Sequence, residues 1–363
     1  MTSMRIHHFF PRTKNVGDYF VQTGIATIVR TIDPDAEIHL FDVNSRGTDR
    51  IEYGLTRQAI EKANHEADLI IIGGSNLYEG AWGWPWGVTL DVSALKELRV
   101  PLFLIGIGTG SAFASTTHKP SGRAREEIRL LNDAASLSWV RDVATLEWLR
   151  NLGVTKAEML GDPATFIFNS GFKSIEQGDH VLMVMPPSRI WSSLRGFRKA
   201  KRLGRPIFSA LVKVAEHFIA RGTHLVIACN DPRDVDLANR LFESRQSQIV
   251  CPTEPEEYFR LLAASRAVIS GRLHTAAVAL SLGIPFLLLD LDKRTSGFIE
   301  TYQLDHAAIS WSKVANLGEK AGELLAGGQR DSWLNSIGIR NELYELAIER
   351  LKVVLEPVGK IKY

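Results

Sequence analysis

The sequence predicts an α/β protein built from two open, mainly parallel sheets that face each other across a cleft. Three observations lead to this prediction. The chain has 363 residues, which exceeds the size at which a single hydrophobic core usually stops growing. Its residues are 45% hydrophobic, 23% charged and 9% aromatic, which is typical of a globular protein and excludes a disordered, collagenous or coiled-coil chain. Short apolar runs alternate with longer amphipathic segments, and this alternation starts twice.

The first set of alternating segments covers the N-terminal half of the chain. Helix-like segments at 56–65 and 143–151 lie between apolar runs, and Gly153 follows the second as a C-cap residue would. An apolar helix is predicted over 21–29. Short apolar runs separated by such segments are typical of βα units and a parallel sheet. The strands predicted on this basis are 5–10, 37–41, 68–73, 101–107, 136–141 and 158–160.

The pattern restarts after a stretch with few apolar residues, 169–179, where we place the domain boundary. The division is into two Rossmann-like domains, 1–172 and 173–330, and a C-terminal helical segment, 331–363, of one or two helices. Open α/β sheets bind ligands at the carboxyl ends of their strands, so we expect the active site between the domains. The second set comprises strands at 180–185, 224–229, 248–251, 267–270, 285–290 and 307–309, with helices near 207–220, 234–242, 255–264 and 275–282.

Charge and cysteine content exclude several classes of protein. The 43 Lys and Arg residues against 41 Asp and Glu leave a formal charge of +2, without the basic excess of most nucleic-acid-binding proteins, so no nucleic-acid partner is predicted. Two cysteines are too few for a disulfide framework, and no cluster of metal-ligating residues is evident. The sequence shows neither a signal-peptide apolar core nor a membrane-spanning apolar run, so a cytoplasmic protein is predicted.

The most specific local feature is the segment 270–275, Ser-Gly-Arg-Leu-His-Thr, which joins a predicted strand to an Ala-rich helix. The free N–H groups of a helix N-terminus bind anions, and Arg272 adds a bidentate donor for a carboxylate or phosphate. His274 is a candidate general acid, because a neighbouring anion raises the pKa of a histidine. The structural alternative is an arginine that caps neighbouring carbonyl groups and a histidine buried in the core.

Other strand ends carry weaker signals. Lys293 and Arg294 follow the strand predicted at 285–290 and are candidates to meet a second anionic group, or are simply solvated. Asn15 and Asp18 follow the first strand and are turn and N-cap residues by type, with a contact to ligand as the functional alternative. The glycine turn after the strand at 68–73 lacks the third glycine of a dinucleotide fingerprint, so it is weak evidence for NAD.

Two surface features remain. The run 189–206 contains Arg and Lys residues without one acid, and we expect it to contact a diphosphate-linked acceptor, to touch an anionic membrane as a peripheral protein, or to be a solvated loop. A Gly/Pro-rich loop, 80–87, carries Trp82, Trp84 and Trp86. Indole rings stack on sugars and lie at membrane interfaces, and a loop packed on itself is the structural alternative.

Six short motifs, taken in order over most of the chain, resemble those of the polysaccharide pyruvyl transferase family. Each motif alone is short, and it is their order that makes the resemblance specific. They are Asn15-Val16-Gly17-Asp18; the strand and turn 67–77 with Gly73, Gly74 and Asn76; Val140-Arg141-Asp142; Gly161-Asp162-Pro163-Ala164; Gly271-Arg272-Leu273-His274; and Gly283-Ile284-Pro285 followed by Lys293.

The resemblance implies a GT-B-like pair of Rossmann domains. It also implies transfer of a pyruvyl group from phosphoenolpyruvate to two hydroxyls of a sugar, in a polysaccharide or its lipid-linked precursor, giving a cyclic ketal and phosphate. Phosphoenolpyruvate is then a co-substrate, and no separate cofactor is expected. The resemblance implies that Arg272 and His274 take part in phosphoenolpyruvate binding and catalysis. The residues expected to bind substrates are Lys293, Arg189, Asn15, Gly17, Asp18, Gly73, Gly74, Asn76 and Asp162.

The residues suit this chemistry. Ketal formation needs a proton at the methylene carbon and fixed positive charge around carboxylate and phosphate. We expect His274 to be the proton donor, and Arg272, with Lys293 and Arg189, to hold the anions. Asp18 and Asp162 are candidate bases. The N-terminal domain is then the acceptor side and the C-terminal domain the phosphoenolpyruvate side. The alternatives are a GT-B glycosyltransferase that uses a nucleotide sugar and a noncatalytic protein that binds sugar phosphates.

Overall fold

A computed structural model describes residues 3–11, 15–43, 53–78, 86–110, 120–169, 178–187, 197–243 and 247–356, with the backbone alone for 197–203. Arg189, Trp82 and Trp84 lie outside the described residues. Within the described part of the chain, no helix combines the length and apolarity needed to cross a membrane.

The N-terminal sheet has six parallel strands in the order β2-β1-β3-β4-β5-β6. Its central strands are buried on both faces, as parallel strands covered by helices are. The strands are β1 (Arg5–Phe10), β2 (Glu37–Asp42), β3 (Leu69–Gly73), β4 (Leu102–Ile107), β5 (Leu137–Val140) and β6 (Glu158–Met159). The connecting helices are α1 (Val16–Ile32), α2 (Arg57–Glu66), α3 (Val92–Leu95), α4 (Gly122–Ala134) and α5 (Val143–Asn151).

The C-terminal sheet also has six parallel strands, in the order β12-β11-β10-β7-β8-β9. They are β7 (His180–Val184), β8 (Leu225–Ala228), β9 (Gln248–Val250), β10 (Ser265–Ser270), β11 (Phe286–Asp290) and β12 (Ala308–Ser310). The helices are α6 (Phe197–Ala220), α7 (Pro232–Phe242), α8 (Pro255–Ala263), α9 (Leu273–Leu282), α10 (Lys293–Tyr302), α11 (Leu317–Leu325) and α12 (Arg330–Leu355). Short 3-10 helices lie at Pro163–Asn169, Asp305–Ala307 and Trp311–Asn316.

Each sheet has one point where the order of its strands reverses. In the first sheet, β2 lies on one side of β1 and β3 on the other; in the second, β8 lies on one side of β7 and β10 on the other. Loops that leave neighbouring strands at such a point diverge to opposite faces and open a crevice for ligand. The loops after β1 and β3 and the loops after β7 and β10 are therefore the ones expected to build the site.

The sequence predicted a C-terminal segment of one or two helices, and the structure has one, α12. This helix contacts α1, α9 and α10, so it returns across both domains. The Arg340 guanidinium donates to the carbonyl oxygens of Leu280 (2.9 Å) and Ser281 (2.6 Å), at the C-terminal end of α9. Cationic donors at that end satisfy orphan carbonyl groups, so α12 holds α9 from the end opposite His274.

Helix starts differ most from the prediction. Helix α6 begins at Phe197 rather than near 207, and Pro206 lies inside it. Gly204 and Pro206, residue types that usually interrupt a helix, kept this first part out of the predicted helix. Of the tryptophans in the Gly/Pro-rich loop, Trp86 is 1% exposed and donates to Glu127 Oε2 at 2.7 Å. This indole belongs to the hydrophobic core of the N-terminal domain, which differs from both the ligand-contact interpretation and the loop packed on itself.

Candidate active site

The segment after β10 places Arg272 and His274 at the start of α9. Gly271 is required there, because a Cβ atom at this position would lie 2.6 Å from Pro186 Cγ, in the loop after β7. The Ser270 hydroxyl accepts a hydrogen bond from the Arg272 backbone N–H at 2.9 Å and fixes the turn. Arg272 is the N-cap residue, and its side chain is 20% exposed.

The Arg272 guanidinium is held by two groups of the C-terminal domain. Its Nε donates to the Met185 carbonyl oxygen at 3.1 Å, and its Nη2 pairs with the buried Asp234 carboxylate. The carbonyl contact is part of the structural alternative considered for this arginine, and the ion pair adds a fixed orientation. Sequence reasoning missed Asp234, because nothing in its local sequence indicates a partner 38 residues away.

His274 lies at the contact between the two domains. A Cβ atom on Gly17 would lie 2.3 Å from His274 Nδ1, so the N-terminus of α1 can reach α9 only because residue 17 is glycine. Two helix N-termini therefore meet at this imidazole. Each carries free N–H groups and the positive end of a helix dipole, which together favour an anion.

Asp162, in the loop after β6, faces His274 from the N-terminal domain. His274 Nε2 lies 3.7 Å from Asp162 Oδ2, with the side chains 15% and 1% exposed. Among the described residues, neither atom has a hydrogen-bond partner, although both are buried. Buried polar atoms are nearly always satisfied, so this pair marks a place where a ligand or water belongs.

Burial disfavours the charged form of both partners. It lowers the pKa of His274 to about 3, with the Arg141 charge acting in the same direction, Asp18 opposing the shift and Arg294 adding to it. Burial also raises the pKa of Asp162, against the effect of Arg141. Without a ligand, burial therefore works against ionisation of both groups. An anion bound beside the imidazole favours its protonated form, because it supplies the opposite charge.

The loop after β1 contributes Asn15 and Asp18. The Asn15 carboxamide accepts from the Gly17 backbone N–H at 3.2 Å, which is the capping role its residue type indicates. Asp18 is 7% exposed in the first turn of α1, and its negative charge acts on His274. Of these two residues, the structure brings Asp18 to the imidazole and gives Asn15 a structural contact.

The loop after β3 brings Asn76 to a buried arginine. Gly73 ends the strand, and Gly74 has a φ of 86°, which places the turn in the left-handed region. The Arg141 guanidinium, 2% exposed, donates from Nη2 to Asn76 Oδ1 at 2.6 Å and from Nε to Asp142 Oδ2 at 3.0 Å. Asn76 therefore orients Arg141. Arg141 was part of a predicted family motif but was not predicted as a site residue. Its position at the end of a predicted strand could have indicated that role.

The strand β11 ends at two cations with different environments. Lys293 is exposed, and its role remains a prediction. Arg294 is bound by Asp292 in two contacts, at 3.1 and 2.6 Å, and its charge acts on His274. The positive charge of Arg294, which was not among the predicted substrate-binding residues, thus acts on the imidazole. Among the described residues, no three His, Cys, Asp or Glu side chains lie together as metal ligands do.

Two parallel six-stranded domains with their strand-end loops facing one another are a GT-B fold. The family model for polysaccharide pyruvyl transferase matches residues 15–293, which begin at the Asn15 loop and end at Lys293. The chain belongs to this family and is a transferase. A sequence search of curated proteins finds no match.

Solved structures share this architecture over their whole length. A Listeria monocytogenes protein described as a UDP-N-acetylglucosamine 2-epimerase matches with a TM-score of 0.62 and 13% identity, covering 98% of each chain. The Neisseria meningitidis UDP-GlcNAc 2-epimerase bound to UDP-GlcNAc matches with a TM-score of 0.56 and 13% identity, over 96% of this chain and 99% of that one. A Rickettsia africae glycosyltransferase has a TM-score of 0.56 and 12% identity, over 99% and 100%. Identities this low show the fold alone.

Proposed function

We propose that this protein transfers the pyruvyl group of phosphoenolpyruvate to two hydroxyls of a sugar, in a polysaccharide or its lipid-linked precursor, and releases phosphate. The observation that carries the proposal is the meeting of the α1 and α9 N-termini at the buried His274–Asp162 pair. The family match supports the reaction class, and the charges around the pair suit its donor.

Phosphoenolpyruvate presents a carboxylate and a phosphate. The two helix N-termini offer backbone N–H groups, and the arginines at the carboxyl ends of β5 and β10, Arg141 and Arg272, are already oriented by carboxylate partners. Oriented guanidinium groups need no reorganisation when charge develops. We assign Arg272 to donor binding, with Arg294 adding positive charge at His274. We propose that Lys293 and Arg189, which the sequence analysis also selected, help to hold the anionic groups of phosphoenolpyruvate.

His274 is the proposed proton donor. Burial disfavours a charge on either side chain of the His274–Asp162 pair, and a bound dianionic phosphate favours the imidazolium form of His274 beside the Asp162 carboxylate. The imidazolium then gives its proton to the methylene carbon. Asp162, left as a carboxylate, is placed to take a proton from an attacking hydroxyl, and Asp18 is the second candidate base.

The reaction balances without a further reagent. A proton adds to C3 of phosphoenolpyruvate, which makes a methyl group and an oxocarbenium-like C2. A sugar hydroxyl adds to C2 and loses its proton, the C2–O bond to phosphate breaks, and the second hydroxyl adds and loses its proton. One hydroxyl proton replaces the proton given to the methyl group and the other leaves with phosphate. The cations stabilise the charge of the departing phosphate.

The acceptor is proposed to bind the N-terminal domain. One structural relative, the Neisseria meningitidis epimerase, is bound to UDP-GlcNAc, so a nucleotide-linked acceptor is tested beside a lipid-linked one. Helix α6 starts within the basic run, with six Lys and Arg residues before its first acid, Glu216. We propose that this end of α6 contacts an anionic membrane, on its cytoplasmic face, where a lipid-linked acceptor is presented.

The test is phosphate release from phosphoenolpyruvate in the presence of lipid-linked and nucleotide-linked sugars. The proposal expects release only with an acceptor, together with a product heavier by a pyruvyl ketal. Release of a nucleoside diphosphate from a nucleotide sugar, without consumption of phosphoenolpyruvate, would instead identify a glycosyltransferase. Binding of both compounds without any product would identify a noncatalytic protein.

A further inference from the structure

A recess of about 340 Å3 opens on the N-terminal domain, apart from the His274–Asp162 pair. It is bounded by the ends of β1 and β2 and by the start of α2. Its volume is at the lower end of the range for small-molecule sites. The residues that line it and carry the argument are His7, Phe41, Tyr53, Thr56, Gln58 and Lys62.

The inner wall of this recess is aromatic. His7 and Phe41 have ring centroids 4.6 Å apart, and Phe9 stacks on Phe41 at 5.0 Å with an interplanar angle of 22°. The Lys62 ammonium lies over the Phe41 ring, 5.5 Å from its centroid. Such a wall packs against the C–H face of a ring compound, which is how aromatic side chains contact ligands that are apolar on one side.

His7 gives evidence for a binding site in this recess that does not depend on the aromatic wall. Its side chain is 2% exposed, and within the described residues its ring makes contacts with His39 and Phe41 but its nitrogens make no hydrogen bond. The His7 nitrogens are not among the fully enclosed polar atoms that lack a partner, so they open into the recess that His7 lines, where a ligand group can bond to them. Burial lowers the pKa of His7, so the neutral ring offers one donor and one acceptor.

The polar groups at the mouth have the same dual character. Gln58 has a carboxamide, and Tyr53 and Thr56 have hydroxyls, so each can both donate and accept. Sugar hydroxyls also do both. Two charged residues near the recess already have partners in the protein. Arg57 pairs with Glu97 at 2.6 and 2.7 Å, and Asp91 accepts from the Ser93 and Ala94 N–H groups.

We infer that this recess binds a pyranose ring of a glycan, as a subsite for part of the acceptor beyond the reacting sugar. Residues of β1 and β2 line the recess, and the Asn15–Asp18 loop, whose Gly17 approaches His274, leaves the end of β1. The identity of the ligand rests on the proposed function; the existence of the site rests on His7 and the aromatic wall.

The experiment uses methyl glycosides of glucose, galactose, mannose and N-acetylglucosamine as probes, with binding to the full chain measured by saturation-transfer NMR titration. His7→Phe keeps the aromatic wall and removes the hydrogen bond, and Gln58→Leu does the same at an exposed position where folding is not at risk. We expect each to weaken binding of the best glycoside by about fivefold, the effect of one hydrogen bond. The matched control is His65→Phe, on the exposed surface of α2.

Phosphoenolpyruvate turnover is measured on the same variants. The inference expects a higher acceptor KM, an unchanged kcat and unchanged phosphoenolpyruvate affinity for His7→Phe and Gln58→Leu. It is overturned if no glycoside binds the parent protein, if both variants bind like the parent, or if uridine binds this recess in place of the glycosides. Glycoside binding that needs His7 without any phosphoenolpyruvate turnover would overturn the proposed function and leave this site standing.

Discussion

His274 Nε2 lies 3.7 Å from Asp162 Oδ2, and the two side chains come from opposite domains. This distance is too long for a direct hydrogen bond between the two atoms. The pair exists only when the domains hold their relative positions, which Gly17 permits by letting α1 approach the imidazole. The site is thus assembled between the domains.

His274→Gln is expected to lower turnover by at least about 10², the lower end of what a general acid contributes. Phosphoenolpyruvate affinity and the melting temperature should change little, because glutamine retains a polar head of similar size. Steady-state kinetics, donor titration and thermal unfolding of one preparation measure all three. The rate of the parent should also fall as pH rises through the pKa of His274 in the donor complex, since only the imidazolium donates.

The control for this variant is His65→Gln, on the exposed surface of α2. Parent-like turnover of His274→Gln would remove the imidazole from the mechanism. Failure of that variant to fold would favour a structural histidine.

Gly17→Ala is expected to displace His274. The added Cβ would lie 2.3 Å from Nδ1, so either the ring or the start of α1 must move, and turnover should fall by more than about tenfold. Gly338→Ala in α12 is the matched control, because a Cβ there has no neighbour within 4 Å. That variant should be more stable by about 0.5–1 kcal/mol, with unchanged turnover. Equal effects of the two substitutions on turnover would contradict the close approach.

Arg272→Ala is expected to weaken phosphoenolpyruvate binding by about 1.5–3 kcal/mol, the range for a hydrogen bond to a charged group. It should also lower stability, because it leaves the Asp234 carboxylate buried without its guanidinium. The double variant Arg272→Ala, Asp234→Asn should recover stability without recovering the affinity for phosphoenolpyruvate. Calorimetric titration and urea unfolding separate the two effects, and parent-like donor affinity in the double variant would reject the role.

The strands could be predicted from the sequence because parallel strands are buried on both faces. All twelve observed strands lie within two residues of the predicted bounds, since a continuous apolar run flanked by polar residues has few other uses. Helix α6 shows the limit. Its first ten residues contain five Lys or Arg residues together with Gly204 and Pro206, a composition that does not predict a helix.

The site could be predicted in part. His274 and Asp162 could be selected because both follow strands and belong to recognisable motifs. Their pairing, and that of Arg272 with Asp234, depends on how two sheets meet, which no local pattern specifies. The different environments of Lys293 and Arg294 follow from the start of α10: Asp292 caps the helix and binds Arg294, while Lys293 is exposed.

Reversing Arg198, Lys199, Lys201 and Arg202 to Glu should reduce binding to vesicles of phosphatidylglycerol and phosphatidylcholine. Each cation near an anionic surface contributes about 1 kcal/mol, so the loss should exceed about tenfold and shrink with added salt. Cosedimentation measures it, with Arg330→Glu, Lys352→Glu on exposed positions of α12 as the control. Parent-like cosedimentation of this variant, or an equal loss of binding in the control, would show that this segment is a solvated surface and does not contact the membrane.

His8, on β1, makes stability depend on pH. Burial lowers its pKa to about 4, against a hydrogen bond with the Gly73 backbone, while the unfolded chain keeps the usual 6.5. Between these values the unfolded state binds more protons, so stability is complete above 6.5 and is lost as pH falls towards 4. His8 alone should cost about 2 kcal/mol between pH 8 and pH 5. Urea unfolding at both pH values should show this loss of stability in the parent and in the exposed control His65→Leu. In His8→Leu the loss should be smaller by about 2 kcal/mol. An identical pH dependence in all three proteins would show that His8 is protonated in the folded protein.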